Sequence, residues 1–565
     1  MAKVRINTGG KLVMVVLGLA ILGVVIWQVI PKKGAEPSVE PEFDNKGIEA
    51  ASADNDTPAP TKVPDFNGDK IEAAKPNIEK GGSSGSTPGI NRPIRVGIVT
   101  WGGYAGGIMA NNGFAASKDS TFWKEYGVEV ELKVIDDYPA SRAAFRKGGG
   151  DGGVDIVWGT VDSFALEYDS LKDLNPLAFM QYDWSRGGDA IAVTKEITAV
   201  SQLAGKRIAV AEGTPSHYFA LYLLSQADLK TDQVSWAFTE SAIEAAQLFK
   251  LGKVDAAVSW SPDVYMAAEG REGGHILAST KEASALIADI FMVRGDFAKQ
   301  HPELLAKFTL GWLDGVEQVA KDPKPTIQLM ANGFEGVDAV VAEAMLGDVK
   351  LPNYYENLAF FEVTGDQLRG YSDIFNEATK LWRSLGKISG RGDASSTFDT
   401  TFLKAIKPEA EVRFKKDDVV AAAEQEAPAP TKEFKFDFSP EEQKAAEKKE
   451  AILTKRMSVY FPSGAYELDE NAKFILDEAA SLAQTFGSLQ MRVVGNTDDK
   501  GKRAANVTLS QKRAQSVVNY LVQKHGFPAE KFVVVGAGPD NPIADNKDEE
   551  GRKQNRRTDF DILRQ

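Results

Sequence analysis

Asn496-Thr497-Asp498-Asp499-Lys500-Gly501, followed by Asn506, Leu509-Ser510 and Arg513-Ala514, reads as a loop leading into a helix. Leu509, Arg513, Val517 and Leu521 recur at i, i+4, i+8 and i+12 and so share one helical stripe. Three of the four suit a core. An arginine in that line needs an anion to meet it. Either Asp498 is its internal partner, or the two hold opposite ends of one ligand. Working outward, the pattern predicts strand 457–461, helix 471–486, strand 489–494, helix 504–525 stopped by Gly526 and Pro528, and strands 533–536 and 558–563. The order is β-α-β-α-β with a loop 539–557 before the last strand, an α/β sandwich.

The run TD-x-x-G-x(4)-N-x-x-LS-x-x-RA, with Gly551-Arg552 and Asn555-Arg556-Arg557 behind it, resembles the OmpA C-terminal domain family over about 453–563. That family includes peptidoglycan-associated lipoproteins and the motor protein MotB. The resemblance implies peptidoglycan binding through the diaminopimelate of the stem peptide. Asp498 would take the ligand's ammonium and Arg513 its carboxylate, with Thr497, Asn506, Leu509 and Arg557 shaping the site. The chemistry suits a zwitterion, which needs one fixed anion and one fork-shaped cation.

At 565 residues the chain is too long for one ordinary domain. A net charge of −14 without a basic stripe argues against nucleic acid. With no cysteine, disulfides, thiolate zinc sites, thiol catalysis and a lipoprotein anchor are excluded. The four histidines are scattered, and no HExxH, GxSxG or GxxxxGK[ST] occurs. No cofactor and no metal site is expected.

Residues 12–30 form an uncharged apolar run of about 19 residues, long enough to span a bilayer, preceded by Lys3, Arg5 and Lys11 and carrying Trp27 near its far end. The reading is one uncleaved transmembrane helix with residues 1–11 in the cytoplasm, in preference to a cleaved signal peptide. Residues 31–92 are rich in Pro, Gly, Ser and acidic side chains and lack apolar periodicity, as a linker does. Fully stretched, about 60 residues reach roughly 200 Å.

From Ile94 the pattern changes to alternating strands and helices, an α/β fold with a mainly parallel sheet whose ligands sit at the C-terminal ends of strands. The Gly148–Gly153 run, which lacks the Lys-Ser/Thr of a phosphate loop, reads as a turn before a strand. Gly153-Val154-Asp155-Ile156-Val157-Trp158 is echoed by Gly252-Lys253-Val254-Asp255-Ala256-Ala257-Val258-Ser259-Trp260, which suggests two similar lobes. A further strand, 203–210, leads to Glu212-Gly213-Thr214-Pro215-Ser216, a helix start with Ser216 as its cap. With the opening RVGIVTW, these blocks resemble periplasmic solute-binding proteins of the nitrate, sulfonate, taurine and thiamine-precursor transport type. The resemblance implies two α/β lobes hinged around a small-molecule cleft. Ser261-Pro262-Asp263 stands where family members often carry Glu-Pro, which leaves the ligand open. Candidate cleft residues are the loop residues after strands: Trp101, Tyr104, Tyr138, Thr160, Asp162, Asp189, Thr214, Ser216, His217, Trp260 and Asp263. Aromatic rings beside carboxylates suit a cationic amine; the helix start at 214–216 suits an oxyanion. An amphipathic helix, 366–385, then packs on the lobes.

The expected organisation is therefore a two-lobed periplasmic-binding-protein fold plus an OmpA-like α/β sandwich, with one N-terminal transmembrane helix. Its segments are a cytoplasmic 1–11, the span 12–30, a linker 31–92, the lobes 93–404, a second linker 405–450 and the sandwich 451–565. The function it implies is a solute receptor of the inner membrane, single-pass, with the bulk of the chain in the periplasm. The expected partners are peptidoglycan, an unidentified small molecule and an inner-membrane permease. The alternative is an envelope-linking protein whose lobes bind a protein or no ligand. A motor stator is disfavoured because 12–30 holds no acidic residue. An enzyme is disfavoured because His217 is the only histidine near the cleft, whereas thiamine-precursor enzymes that resemble the lobes use a histidine cluster.

Overall fold

The computed structural model describes residues 89–364, 369–390, 392–414, 448–457 and 465–564, with Ala445, Val459 and Phe461. The apolar run 12–30, residues 31–88 of the first linker, residues 366–368 of the amphipathic helix and residues 415–444 of the second linker lie outside the described residues. Among those described, no helix is long and apolar enough to cross a membrane.

Two sheets carry the middle of the chain. The first contains β1 (Ile94–Ile98), β2 (Val130–Val134), β3 (Ile156–Thr160), β4 (Leu177–Ser185), β10 (Ala288–Val293) and β11 (Val349–Lys350), in the order β11-β4-β10-β3-β1-β2. The second contains β5 (Asp189–Val193), β6 (Arg207–Ala211), β7 (Ser235–Thr239), β8 (Ala256–Trp260) and β9 (His275–Ser279), in the order β7-β6-β8-β5-β9. Strands β3, β5 and β10 are buried at every position, as short continuous apolar runs covered on both faces should be. The repeated Val-Asp blocks prepare β3 and β8, which hold equivalent places. Each lies between a parallel neighbour, β1 or β6, and an antiparallel one, β10 or β5.

The sheets are mixed, where the alternating pattern suggests mainly parallel ones. Chain crossings explain the difference. The chain passes from the first lobe to the second between β4 and β5 and returns between β9 and β10. Strands β5 and β10 thus enter their lobes from the cleft and run against those whose C-terminal ends point to it. The crossings are laced together. Ser185 Oγ lies 2.7 Å from Thr280 Oγ1, and the Gly187 amide donates to Thr280 Oγ1 at 3.0 Å.

Helices follow local chemistry. The Val161–Leu171 helix begins in a capping box made by Thr160 and Ser163. The Pro215–Gln226 helix has Pro215 at its first position, and its cap is Thr214 rather than Ser216. Gly106 and Gly107, which follow the Trp101–Tyr104 segment, let the Ala105–Asn111 helix meet the Pro302–Lys321 helix closely. A Cβ on Gly107 would sit 2.0 Å from the Trp312 ring. The amphipathic segment forms the Tyr371–Ser384 helix and buries Tyr371, Phe375, Ala378 and Trp382. Residues 407–413, expected within a linker, form the Lys407–Arg413 helix. Ile406, Ala410 and Phe414 are buried and Arg413 pairs with Asp314 at 3.0 Å, so this segment belongs to the packed lobe.

The C-terminal sheet contains β12 (Ala451–Met457), β13 (Met491–Asn496), β14 (Phe532–Gly538) and β15 (Thr558–Leu563), in the order β12-β15-β13-β14. The Glu470–Thr485 and Arg503–His525 helices accompany it, the latter ended by Gly526 in the left-handed region at φ 69°. The expected loop 539–557 contains a further helix, Glu549–Asn555, capped by Asp548. This domain rests on the lobes. Lys455 pairs with Asp228 at 2.9 Å, and Arg369 donates to Ser481 Oγ at 3.0 Å.

Candidate functional site

A cavity lies where the strand ends of both lobes meet. Val99, Trp101, Trp158, Thr160, Ile287 and Asp289 line it from the first lobe, and Asp189, Pro215 and Trp260 from the second. The enclosed volume is about 30 Å³, far below that of ligand pockets, so the walls nearly meet. None of the residues lining it is basic.

Each wall has a local cause. Trp101 follows β1, and Gly188 leaves space for it: a Cβ there would lie 1.8 Å from the indole. Its Nε1 donates to Asp183 at 2.9 Å. Asp289 is the cross-strand partner of both Asp183 and Thr160, and its Oδ1 accepts from the Tyr182 hydroxyl at 3.1 Å. Burial, together with the adjacent Asp183 carboxylate, pushes Asp289 well above the usual carboxylate range. Asp189 opens β5, accepts from Ser185 Oγ at 2.9 Å and Ser216 Oγ at 3.4 Å, and is raised by burial to about 6. Asp162, in the first turn of the Val161–Leu171 helix, is fully buried. Burial raises it to about 7 against the opposing pull of the Thr160 hydroxyl and its own amide.

Of the sequence candidates, Trp101, Thr160, Asp189 and Trp260 meet in the cavity wall. Ser216 is buried behind Asp189, and Thr214, also buried, donates to the Ala211 carbonyl at 2.8 Å. Tyr138 stands beside the cavity, edge-on to Trp158 with ring centroids 5.7 Å apart. The others point elsewhere. Tyr104 is fully buried against Tyr182, its hydroxyl 3.1 Å from that of Tyr182, because the Trp101–Tyr104 segment coils inward as a helical turn. His217 is buried among Trp236, Phe238 and Trp382. Its Nδ1 accepts from the Gly213 amide at 3.1 Å, and burial lowers it to about 4, so the ring is neutral. Asp263 is half-buried at the start of the Asp263–Glu269 helix, outside the cavity wall. Sequence reasoning missed Trp158, Asp183 and Asp289. The available signal was a lone acid inside an apolar strand, FMQYDWS and ADIFMV, since an unpaired buried carboxylate is costly.

In the C-terminal domain β13 delivers the Asn496–Gly501 loop. Asp498 is bonded to Arg556, with Nη1–Oδ2 at 2.7 Å, and not to Arg513. Arg513 donates from Nε to the Ala465 carbonyl at 3.0 Å and lies over the Phe461 ring at 5.0 Å. Burial lowers its pKa while the nearby Asp498 charge opposes that shift. Asn506 Nδ2 donates to the carbonyls of Asp498 and Lys500 at 3.3 and 3.0 Å, holding the loop. Thr497 Oγ1 donates to the Asp498 carbonyl at 2.9 Å. Leu509 is half-buried. Arg557 is engaged in a fork with Asp559, two bonds of 2.9 Å, inside the domain. Asp498 and Arg556 thus form the polar edge of the loop, with the Arg513 guanidinium close enough to feel Asp498.

Comparison with known proteins agrees with this division. Residues 460–556 match the OmpA family model. Residues 121–324 match the model described as ABC transporter, phosphonate, periplasmic substrate-binding protein. The taurine-binding periplasmic protein of Escherichia coli (strain K12) is 29% identical over 212 residues, 37% of this chain and 63% of that protein. Outer membrane protein A of Bordetella avium is 38% identical over 104 residues, 18% of this chain and 53% of that protein. The chain thus spans between about half and two thirds of the length of these relatives. The periplasmic aliphatic sulphonate binding protein SsuA from Escherichia coli aligns with 54% of this chain and 97% of its own at 16% identity, with a TM-score of 0.44. The chain joins an ABC-type periplasmic substrate-binding domain of the phosphonate and sulfonate type to a C-terminal domain of the OmpA family.

Proposed function

We propose that this chain is a solute receptor of the bacterial envelope, held to peptidoglycan by its C-terminal domain and to the inner membrane by residues 12–30. The observation that carries the receptor reading is the cavity between the lobes, whose walls come from both lobes and beside which the two laced crossings run. Lobes joined in this way can close over a molecule and signal its presence to a permease or another membrane partner. The wall-binding reading rests on Asp498 and Arg513, an acid and a guanidinium at one loop, suited to the ammonium and carboxylate of diaminopimelate. Asp498 would exchange its bond to Arg556 for the ligand's ammonium.

Sedimentation with purified peptidoglycan tests the tether. Wild-type chain should pellet, and Asp498→Ala and Arg513→Ala should each lose at least about tenfold in affinity, the worth of one charged hydrogen bond. Equal pelleting of all three refutes the assignment.

A further inference from the structure

The receptor reading leaves open what the cavity holds, and its relatives' names point to oxyanions. We propose that it takes a small organic ammonium ion, of the amino-alcohol class, and rejects sulfonates and phosphonates; this rests on the receptor reading above.

Charge is the first argument. Asp189 and Asp289 line the cavity and no basic side chain does. Asp183 lies beside Asp289, and Asp162 interacts electrostatically with Asp189. The nearest guanidinium, Arg142, sits over the Trp158 ring at 4.9 Å but is committed to Glu167 by two bonds of 2.8 Å and to the Trp158 carbonyl at 2.9 Å. An anion entering here meets the Asp189 carboxylate at low dielectric with no counter-charge among the lining residues.

The second argument is that carboxyl groups also stand beside the helix starts that face the cavity. Free amides in the first turn of a helix favour an anion. Two such turns start beside the cavity, after β3 and after β6. One carries Asp162, and in the other Ser216 donates to Asp189.

The third argument is what remains unsatisfied. Asp162 and Asp183 are completely buried behind the wall, where Asp183 shares a hydrogen bond with Asp289. In the wall itself the Trp158 Nε1 is buried without a partner. A hydroxyl oxygen on the same ligand would accept from it. The indoles of Trp101, Trp158 and Trp260 line the same cavity, and aromatic rings suit a cation. Burial keeps water from Asp162 and Asp189 and raises their proton affinities.

Titration calorimetry and thermal shift on the full chain decide the matter. The probes are ethanolamine and choline as cations, taurine and 2-aminoethylphosphonate as oxyanion-bearing amines, and methanesulfonate and methylphosphonate as anions. Ethanolamine or choline should bind and the two anions should not. Asp189→Asn, its folding checked by its own unfolding transition, should weaken the cation by about ten- to a hundredfold, the loss of one charged contact. Trp260→Ala, at the cavity rim, should also weaken it. Binding of any oxyanion-bearing probe while both cations stay silent overturns the ligand class and leaves the receptor reading standing. Silence of all six probes overturns both. Cation binding that neither substitution alters places the cation elsewhere and overturns the assignment.

Discussion

Replacing Asp162 by Asn should change how the stability of the lobes depends on pH. Asp162 is fully buried, and burial outweighs the Thr160 hydroxyl and its own amide to raise it from 3.8 to about 7. Below pH 3.8 the group is protonated in both folded and unfolded chains, and its contribution to stability is fully present. As pH rises towards 7 the unfolded chain ionises freely while the folded one resists, so stability is lost through that window. At about 1.4 kcal/mol per pH unit, the displacement corresponds to a ceiling of about 4 kcal/mol by pH 8. Asn has nearly the same shape and no charge to bury. The variant should therefore match wild type near pH 4 and exceed it by up to about 4 kcal/mol at pH 8. Urea titrations followed by tryptophan fluorescence at pH 4, 6 and 8 measure this directly. All nine tryptophans precede residue 383, so the signal reports the lobes and not the C-terminal domain. Asp183 and Asp289 add a background slope common to both proteins, and the difference reports Asp162 with its coupling to Asp189. Parallel curves at all three pH values would refute the claim that Asp162 is held protonated by burial.

Other expectations follow from the packing and the charges. Gly107→Ala should destabilise the lobes by about 1–3 kcal/mol in the same fluorescence assay, because its Cβ would overlap the Trp312 ring, which is fully buried and has nowhere to move. Lys531→Met should cost the C-terminal domain about 2 kcal/mol in denaturant melts followed by tyrosine fluorescence. Its buried ammonium donates to the carbonyls of Phe486, Gly487 and Leu489 at 2.8, 3.2 and 2.9 Å, which methionine leaves without that donor. Affinity for ethanolamine should fall as pH drops below about 6, where Asp189 takes up a proton. Calorimetry between pH 5 and 8 would show this, and a flat profile would count against Asp189 as the contact.

Some of this protein was legible in the chain alone. Strand type and order come from local periodicity and turn chemistry, so the Val-Asp blocks ending at Trp158 and Trp260 disclosed two equivalent lobes. The 496–501 loop and its arginine helix were legible for the same reason. What lay outside a local window was settled by packing. Asp183 and Asp289 are about a hundred residues apart and become neighbours only because a strand returning from the second lobe inserts between β3 and β4. Tyr104 and His217 stand in segments that look like cleft loops. Whether a ring turns to the cavity or to the core depends on the helices behind it. Asp498 was matched in sequence with Arg513, yet it bonds to Arg556, which the short Glu549–Asn555 helix brings to the loop from the far end of the domain. Periodicity is written into consecutive residues. The partner of a buried charge is chosen by strand register and by the route the chain takes between lobes, and those exist only once the fold has formed.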